Sequence, residues 1–141
     1  MSKKNKDRRS DKGFSLIELI VVLVILGLLA AVVGPQILDK IGRGKQQIAR
    51  IQIKEFEGAL QMYALDTGRL PEGNEGLYAL VQNVENLDAW NGPYLANELP
   101  TDPWQRDYVY VYPGNYGEYD IYSFGPDGVE GTEDDVCSWK K

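Results

Sequence analysis

From Phe14 to Gly34 the chain reads Phe-Ser-Leu-Ile-Glu-Leu-Ile-Val-Val-Leu-Val-Ile-Leu-Gly-Leu-Leu-Ala-Ala-Val-Val-Gly, 21 residues interrupted by a single charge, Glu18, and followed by Pro35. At about 1.5 Å rise per residue a helix of that length reaches roughly 30 Å, the thickness of a bilayer's hydrocarbon core. The segment therefore predicts a membrane-spanning helix. It withdraws about a quarter of a 141-residue chain from any soluble core, leaving room for one modest domain.

Ahead of it, Lys3, Lys4, Lys6, Arg8, Arg9 and Lys12 are opposed only by Asp7 and Asp11. The positive-inside tendency keeps such a segment in the cytoplasm and sends everything after Pro35 across the membrane, which in a bacterium means into the periplasm. A cleavable secretory signal is the competing reading, since basic residues before an apolar run are its hallmark. Its fit is poor, because the run exceeds the usual ~7 to 15 residues and Leu29-Ala30-Ala31-Val32-Val33 is a weak small-x-small cleavage site.

The whole chain carries a formal charge of −6, and without the +4 of its first thirteen residues the remainder carries −10. An acidic body with no long basic patch argues against a nucleic-acid partner, whose phosphates require clustered Lys and Arg. The sequence has no histidine and one cysteine, Cys137, so imidazole catalysis, intrachain disulfides and thiolate-zinc clusters are excluded. Cys137 reads as a lone, partly buried thiol near the C-terminus.

Glu18 is the most informative single residue. A carboxylate on a spanning helix costs about 2.5 to 3.5 kcal/mol on insertion scales. Snorkelling to the headgroups from the helix start accounts for it in an isolated monomer. It does not explain a carboxylate four residues after Phe14 unless a positive charge arises nearby.

Gly13-Phe14-Ser15-Leu16-Ile17-Glu18 resembles the processing site of type IV pilins and pseudopilins. The resemblance implies that a membrane-embedded prepilin peptidase cuts after Gly13, that residues 1–13 are a leader, that the new amine of Phe14 is methylated, and that Glu18 serves assembly. Cleavage creates a cation at Phe14, with which Glu18 of a neighbouring subunit can pair in a low-dielectric bundle, fixing the stagger between helices.

Beyond Pro35, Ile37, Ile41, Ile48, Ile51, Leu60 and Tyr63 recur mostly at intervals of three, four and seven, which predicts an amphipathic continuation of the helix. Gly34-Pro35 is expected to bend or unwind it locally, and Gly42 and Gly44 to weaken it. The helix should stop at Thr67-Gly68, with Pro71 preventing resumption, giving a long helix over 14–67 and a globular region over 68–141. A short helix from about Glu75 to Gln82 is expected next. Strands are expected at Asp107–Tyr112 and Tyr119–Ser123, with a third, short one within Val136–Trp139. The expected fold class is α+β: one long helix laid against a small antiparallel sheet. Alternation of Tyr108, Tyr110 and Tyr112 suggests either a stacking platform or sheet-covering side chains; the second is favoured because no basic groove accompanies the rings.

The loop from Ser123 to Val136 gathers Asp127, Glu130, Glu133, Asp134 and Asp135 among Gly125, Gly128 and Gly131. Carboxylates so crowded repel one another, and a hard cation such as Ca²⁺, which takes 6 to 8 oxygens in flexible geometry, would relieve that. The loop does not match the EF-hand spacing, since Val129 falls where a second oxygen ligand should be. Spacing alone leaves calcium and an ordinary Asp-Gly turn with solvated acids equally open.

Asp66-Thr67-Gly68-Arg69-Leu70-Pro71, Gly76-Leu77-Tyr78-Ala79-Leu80, Asn91-Gly92-Pro93-Tyr94-Leu95, Leu99-Pro100-Thr101-Asp102-Pro103-Trp104 and the Ser123-x-Gly-x-Asp-Gly loop together resemble the major pseudopilins of type II secretion systems, across nearly the whole chain. The resemblance implies a type IV pilin-like fold with a C-terminal metal-binding loop that holds one calcium ion. By position Asp127, Asp134 and Asp135 would give side-chain oxygens, and Phe124 and Val129 backbone carbonyls. Thr132 and Glu133 depart from a stretch usually richer in glycine, and Cys137 is a further departure. The implied function is structural: a non-enzymatic inner-membrane subunit, with its C-terminal region periplasmic, polymerises with its own copies into a periplasmic pseudopilus. Its implied partners are the minor pseudopilins and the inner-membrane assembly platform, and the outcome is export of folded proteins across the outer membrane. The alternatives are a major type IV pilin, which would usually carry a C-terminal disulfide loop, and a membrane-anchored or secreted calcium-dependent enzyme. Against the enzyme, the acids cluster in one loop rather than flank a cleft.

Overall fold

The computed structural model describes residues 13–73 and 76–140, so residues 1–12 of the leader expected over 1–13, and the expected helix start at Glu75, lie outside the described residues. Among the described residues the elements are helix α1 (Leu16–Thr67), a 3-10 stretch (Gly76–Leu80), and strands β1 (Val109–Val111), β2 (Asp120–Ser123) and β3 (Val136–Cys137). The chain divides into two compact units, Met1–Asp39 and Lys40–Lys141, with α1 contributing to both.

In the first unit α1 is apolar on every side, with a mean hydropathy of 3.2 over its most apolar 18-residue window, long and apolar enough to cross a membrane. Every large apolar side chain from Phe14 to Val33 is exposed, so none of this surface is used by the chain's own core. The helix runs through Pro35 without interruption, so of the bend or local unwinding expected there the unwinding does not occur. A proline removes one backbone donor, here the bond to Ala31, and the bonds on either side carry the helix past it. Gly42 and Gly44, in the second unit, do not break it either.

The second unit is built on the face of α1 formed by Ala49, Ile53, Phe56, Leu60 and Tyr63, a strict four-three alternation. That corrects the apolar stripe expected from the sequence. Ile48 and Ile51 remain about half exposed, as do Ile37 and Ile41, and only Leu60 and Tyr63 of that set are buried. The rest of the second unit covers the stripe that carries Ala49 and Phe56, and the isoleucines beside Ala49 are rotated off that face. At the helix end the Thr67 hydroxyl donates to the Tyr63 carbonyl at 2.8 Å, and Gly68, at φ +76°, donates its N–H to Ala64 O at 2.9 Å. The helix therefore stops at the expected residue with a left-handed glycine.

Against that face stands a three-stranded antiparallel sheet in the order β1-β2-β3, with Tyr110 opposite Ile121 and Tyr122 opposite Cys137. The strands are shorter than the sequence suggests. Tyr108 and Tyr110 are buried, so the alternating tyrosines form no open platform. Tyr108 packs edge-on against Phe56 with ring centroids 5.0 Å apart and donates its hydroxyl to Gln52 Oε1, while Tyr110 donates to Pro71 O at 3.0 Å. Each ring thus fills the helix-sheet interface while its polar end is satisfied. Leu77, Ala79 and Leu80 of the 3-10 stretch close one side of this core. Trp90 and Tyr94 flank it, with the Trp90 indole donating to Ala79 O at 2.8 Å.

Candidate functional site

Two sets of residues singled out by the sequence lie in different units. In the first unit, Gly13 has open space around it and Phe14 is 91 % exposed, so the peptide bond between them is accessible. Two residues on, Ser15 and Glu18 bond reciprocally: the Ser15 N–H donates to Glu18 Oε2 at 2.8 Å, and the Glu18 N–H donates to Ser15 Oγ at 3.2 Å. This is a capping box, satisfying two otherwise unpaired donors at the start of α1. Its signature, Ser-x-x-Glu ahead of an apolar run, stands openly in Ser15-Leu16-Ile17-Glu18. Such a cap is worth about 1 kcal/mol. That does not offset the roughly 2.5 to 3.5 kcal/mol cost of a carboxylate within a membrane, so capping is a local role that leaves the larger cost to be met by a partner or by headgroups.

In the second unit the acidic loop leaves β2 at Ser123 and returns into β3 at Val136. Asp127 accepts the Val129 N–H at 2.9 Å and donates its own N–H to Asp134 Oδ2 at 3.2 Å, which draws the two ends of the loop together. Asp135 Oδ2 accepts the Gly131 N–H at 2.8 Å. The Thr132 hydroxyl lies 3.2 Å from the Val129 carbonyl and 3.3 Å from Asp135 Oδ1, and is also bonded to Asp134 Oδ1. Three of the five oxygens named from the sequence thus converge on one hydroxyl, which has a single proton to share among them. The Thr132 hydroxyl first, and then the Asp127 amide, hold the Asp134 carboxyl below the usual carboxylate range.

The sequence-predicted ligands are therefore brought together unevenly. Val129 O, Asp134 and Asp135 meet at Thr132, whereas the Asp127 carboxylate turns to the Val129 N–H. Phe124 is half-buried beside Tyr122, with ring centroids 5.9 Å apart. Among the described residues no three acidic side chains are grouped closely enough to hold a metal ion as the loop stands. The donor set is nevertheless all hard oxygen, two of its converging oxygens are anionic, and one proton cannot serve three acceptors. This fits a cation such as Ca²⁺ in chemical terms. Thr132 belongs to that convergence, although in the sequence it marks only a departure from a glycine-rich stretch.

Two positions fix the loop's path. Gly125 sits at φ +66° with its Cα against the Asp134 backbone carbonyl, and Gly128 at φ +71° against the Arg106 guanidinium, so a side chain at either would be both strained and obstructed. At the rim, the Tyr122 hydroxyl donates to Glu130 Oε1 at 2.6 Å, and burial first, then that carboxylate, pushes the Tyr122 phenol well up. Cys137, in β3, is buried, and burial pushes its thiol up.

Comparisons with known proteins bear on the chain as a whole. Residues 36–139 match the family model for type II secretion system (T2SS), protein G, and residues 8–34 match the prokaryotic N-terminal methylation motif. The chain is 44 % identical over 137 residues to a type II secretion system core protein G of Escherichia coli (strain K12), covering 94 % of each chain. It is 42 % identical over 138 residues to that of Pseudomonas aeruginosa (strain PAO1), covering 94 % of this chain and 97 % of the other. Among solved structures it is similar to the major pseudopilin from the type 2 secretion system of enterohaemorrhagic Escherichia coli. The TM-score there is 0.63 at 36 % identity, over 72 % of this chain and 88 % of that one.

Proposed function

This chain belongs to the type II secretion system protein G family, and from that membership we propose that it is a structural subunit polymerising into the periplasmic pseudopilus that drives export of folded proteins across the outer membrane. The observation that carries this reading is the division of labour along α1. Residues Ala49 to Tyr63 build the core of the second unit, while the apolar side chains from Phe14 to Val33 are left exposed. A surface of that kind needs either lipid or copies of itself, and a pseudopilin uses both in turn.

The subunit is held in the inner membrane by this segment, with the region after Pro35 in the periplasm. A prepilin peptidase cleaves after Gly13, Phe14 becomes the methylated N-terminus, and Glu18 of a neighbour pairs with its amine as the subunit enters the filament. Minor pseudopilins and the inner-membrane assembly platform are the other partners. The family is a structural one, and no reaction is assigned to this chain. Co-expression with a prepilin peptidase and assembly platform should give sheared filaments containing this protein, and their absence under conditions where the platform assembles another pseudopilin would overturn the reading.

Calcium is proposed as the ligand of the acidic loop. Asp127, Asp134 and Asp135 would hold it by side chains, and Phe124 and Val129 by carbonyls. When bound, the ion would neutralise the crowded carboxylates and hold the loop to β2 and β3. The convergence of Val129 O, Asp134 Oδ1 and Asp135 Oδ1 on the Thr132 hydroxyl supports this assignment.

A further inference from the structure

Between Glu55 and Trp139 the sequence carries only two basic residues, Arg69 and Arg106. Arg69 pairs with Glu85 at 2.8 Å on the protein surface. Arg106 is placed differently. Asp102, its side chain fully buried, accepts the Trp104 N–H at 2.9 Å and the Arg106 N–H at 2.8 Å on Oδ1, and the Ser123 hydroxyl at 2.5 Å on Oδ2. The Asp102 N–H in turn donates to Arg106 O at 2.7 Å. One carboxylate thus closes the Asp102–Arg106 turn and fastens it to the last residue of β2.

The turn delivers the Arg106 guanidinium to the base of the acidic loop. Its Nη2 donates to the Gly125 carbonyl, Gly128 lies against its face, and its Nε, buried without a hydrogen-bond partner, faces Asp102 Oδ2 at 4.0 Å. Ser123 Oγ also accepts the Gly125 N–H at 3.2 Å. Gly125 is therefore held at both its N–H and its C=O by side chains that Asp102 anchors. Glycines have the most conformational freedom to lose, so a loop entered through Gly125 and Gly128 depends on such restraint to keep one shape.

We propose that Asp102 and Arg106 are positioning residues of the acidic loop, holding its segment Gly125–Gly128 in the shape a hard cation meets, although neither is a ligand. This rests on the calcium reading above. Two effects of Arg106 oppose each other. A guanidinium beside a cation site repels the cation, so charge alone makes its removal tighten binding. Positioning makes its removal weaken binding, because the apparent dissociation constant rises as the competent fraction of the loop falls.

The test is calcium titration by calorimetry of the full-length protein in detergent, with amide hydrogen exchange at Val129 and Gly131 measured without calcium. R106M is expected to bind calcium about tenfold more weakly and to exchange faster at both amides. S123A, which removes a single hydroxyl, is expected to move both readouts in the same direction and covers the case in which R106M does not fold. R106M or S123A binding as tightly as wild type, or tighter, overturns the proposal. A wild type that takes up no calcium overturns the calcium reading and this one with it, whereas a wild type that binds alongside variants that bind equally well overturns the positioning role alone.

Discussion

Ser15 and Glu18 cap α1 reciprocally, Glu18 Oε2 accepting the Ser15 N–H at 2.8 Å while Ser15 Oγ accepts the Glu18 N–H at 3.2 Å. Glu18 therefore has a local role that does not require a neighbour, and the two roles can be separated by substitution. Glu18→Gln retains the box, since an amide oxygen serves as well at that position, but carries no charge. Glu18→Ala loses both, at a cost to the helix end of about 1 kcal/mol. Both variants are expected to insert and to be cleaved, and both to fail in filament assembly. A Glu18→Gln protein that assembles like wild type would rule out pairing with the Phe14 amine and leave capping as the role of this residue.

Processing is checked by mass. Intact-protein mass spectrometry of the chain co-expressed with a prepilin peptidase is expected to find Phe14 as an N-methylated terminus. A terminus just after Ala31 or Gly34 would instead indicate ordinary secretion.

Calcium is expected to raise the thermal midpoint of the full-length protein in detergent, and chelation or Asp127→Ala to abolish the increment. Binding to the native state alone contributes about 2.7 kcal/mol when the ion is at a hundred times its dissociation constant. For a domain of this size each kcal/mol moves the midpoint by about 4 to 8 °C. A melt unchanged by calcium would remove the ion from the account.

Alkaline pH should unfold the second unit in a defined window. Burial first, then the hydrogen bond to Glu85, pushes the Tyr63 phenol up to about 12 from its ordinary 10.0. The folded state keeps this proton longer than the unfolded one, so the contribution is complete below pH 10 and is lost as pH rises through about 12. Tyr108 and Tyr110 are shifted in the same direction, chiefly by burial. Stability measured by urea titration should therefore decline over that interval, and Tyr63→Phe should make the decline shallower. An equal slope in the variant would mean that Tyr63 titrates alike in both states.

Much of this protein is written in contiguous residues. The apolar segment from Phe14, the run of basic residues before it, the stop at Thr67-Gly68 and the three strands follow from composition, period and the special backbone freedom of glycine, each fixed by neighbours within a few positions. The type of fold follows from these elements in order, and the acidic loop announces its carboxylates directly.

What the sequence did not reveal depends on distances between residues far apart in the chain. Ile48 and Ile51 read as core but are half exposed, because the helix presents Ala49 and Phe56 to the sheet and the sheet's position decides which stripe is covered. Arg106 looks like an ordinary charge, and only the fold brings it 19 residues along to the Gly125 carbonyl. Asp102 sits in a turn that predicts a bond to its own backbone, yet its bond to Ser123 spans 21 residues. Local patterning determined the helix, its apolar first segment and the supply of carboxylates in this protein. Tertiary structure alone decided which groups meet and which are buried, because burial and hydrogen bonding act through space, and a chain position acquires them only when another element is packed against it.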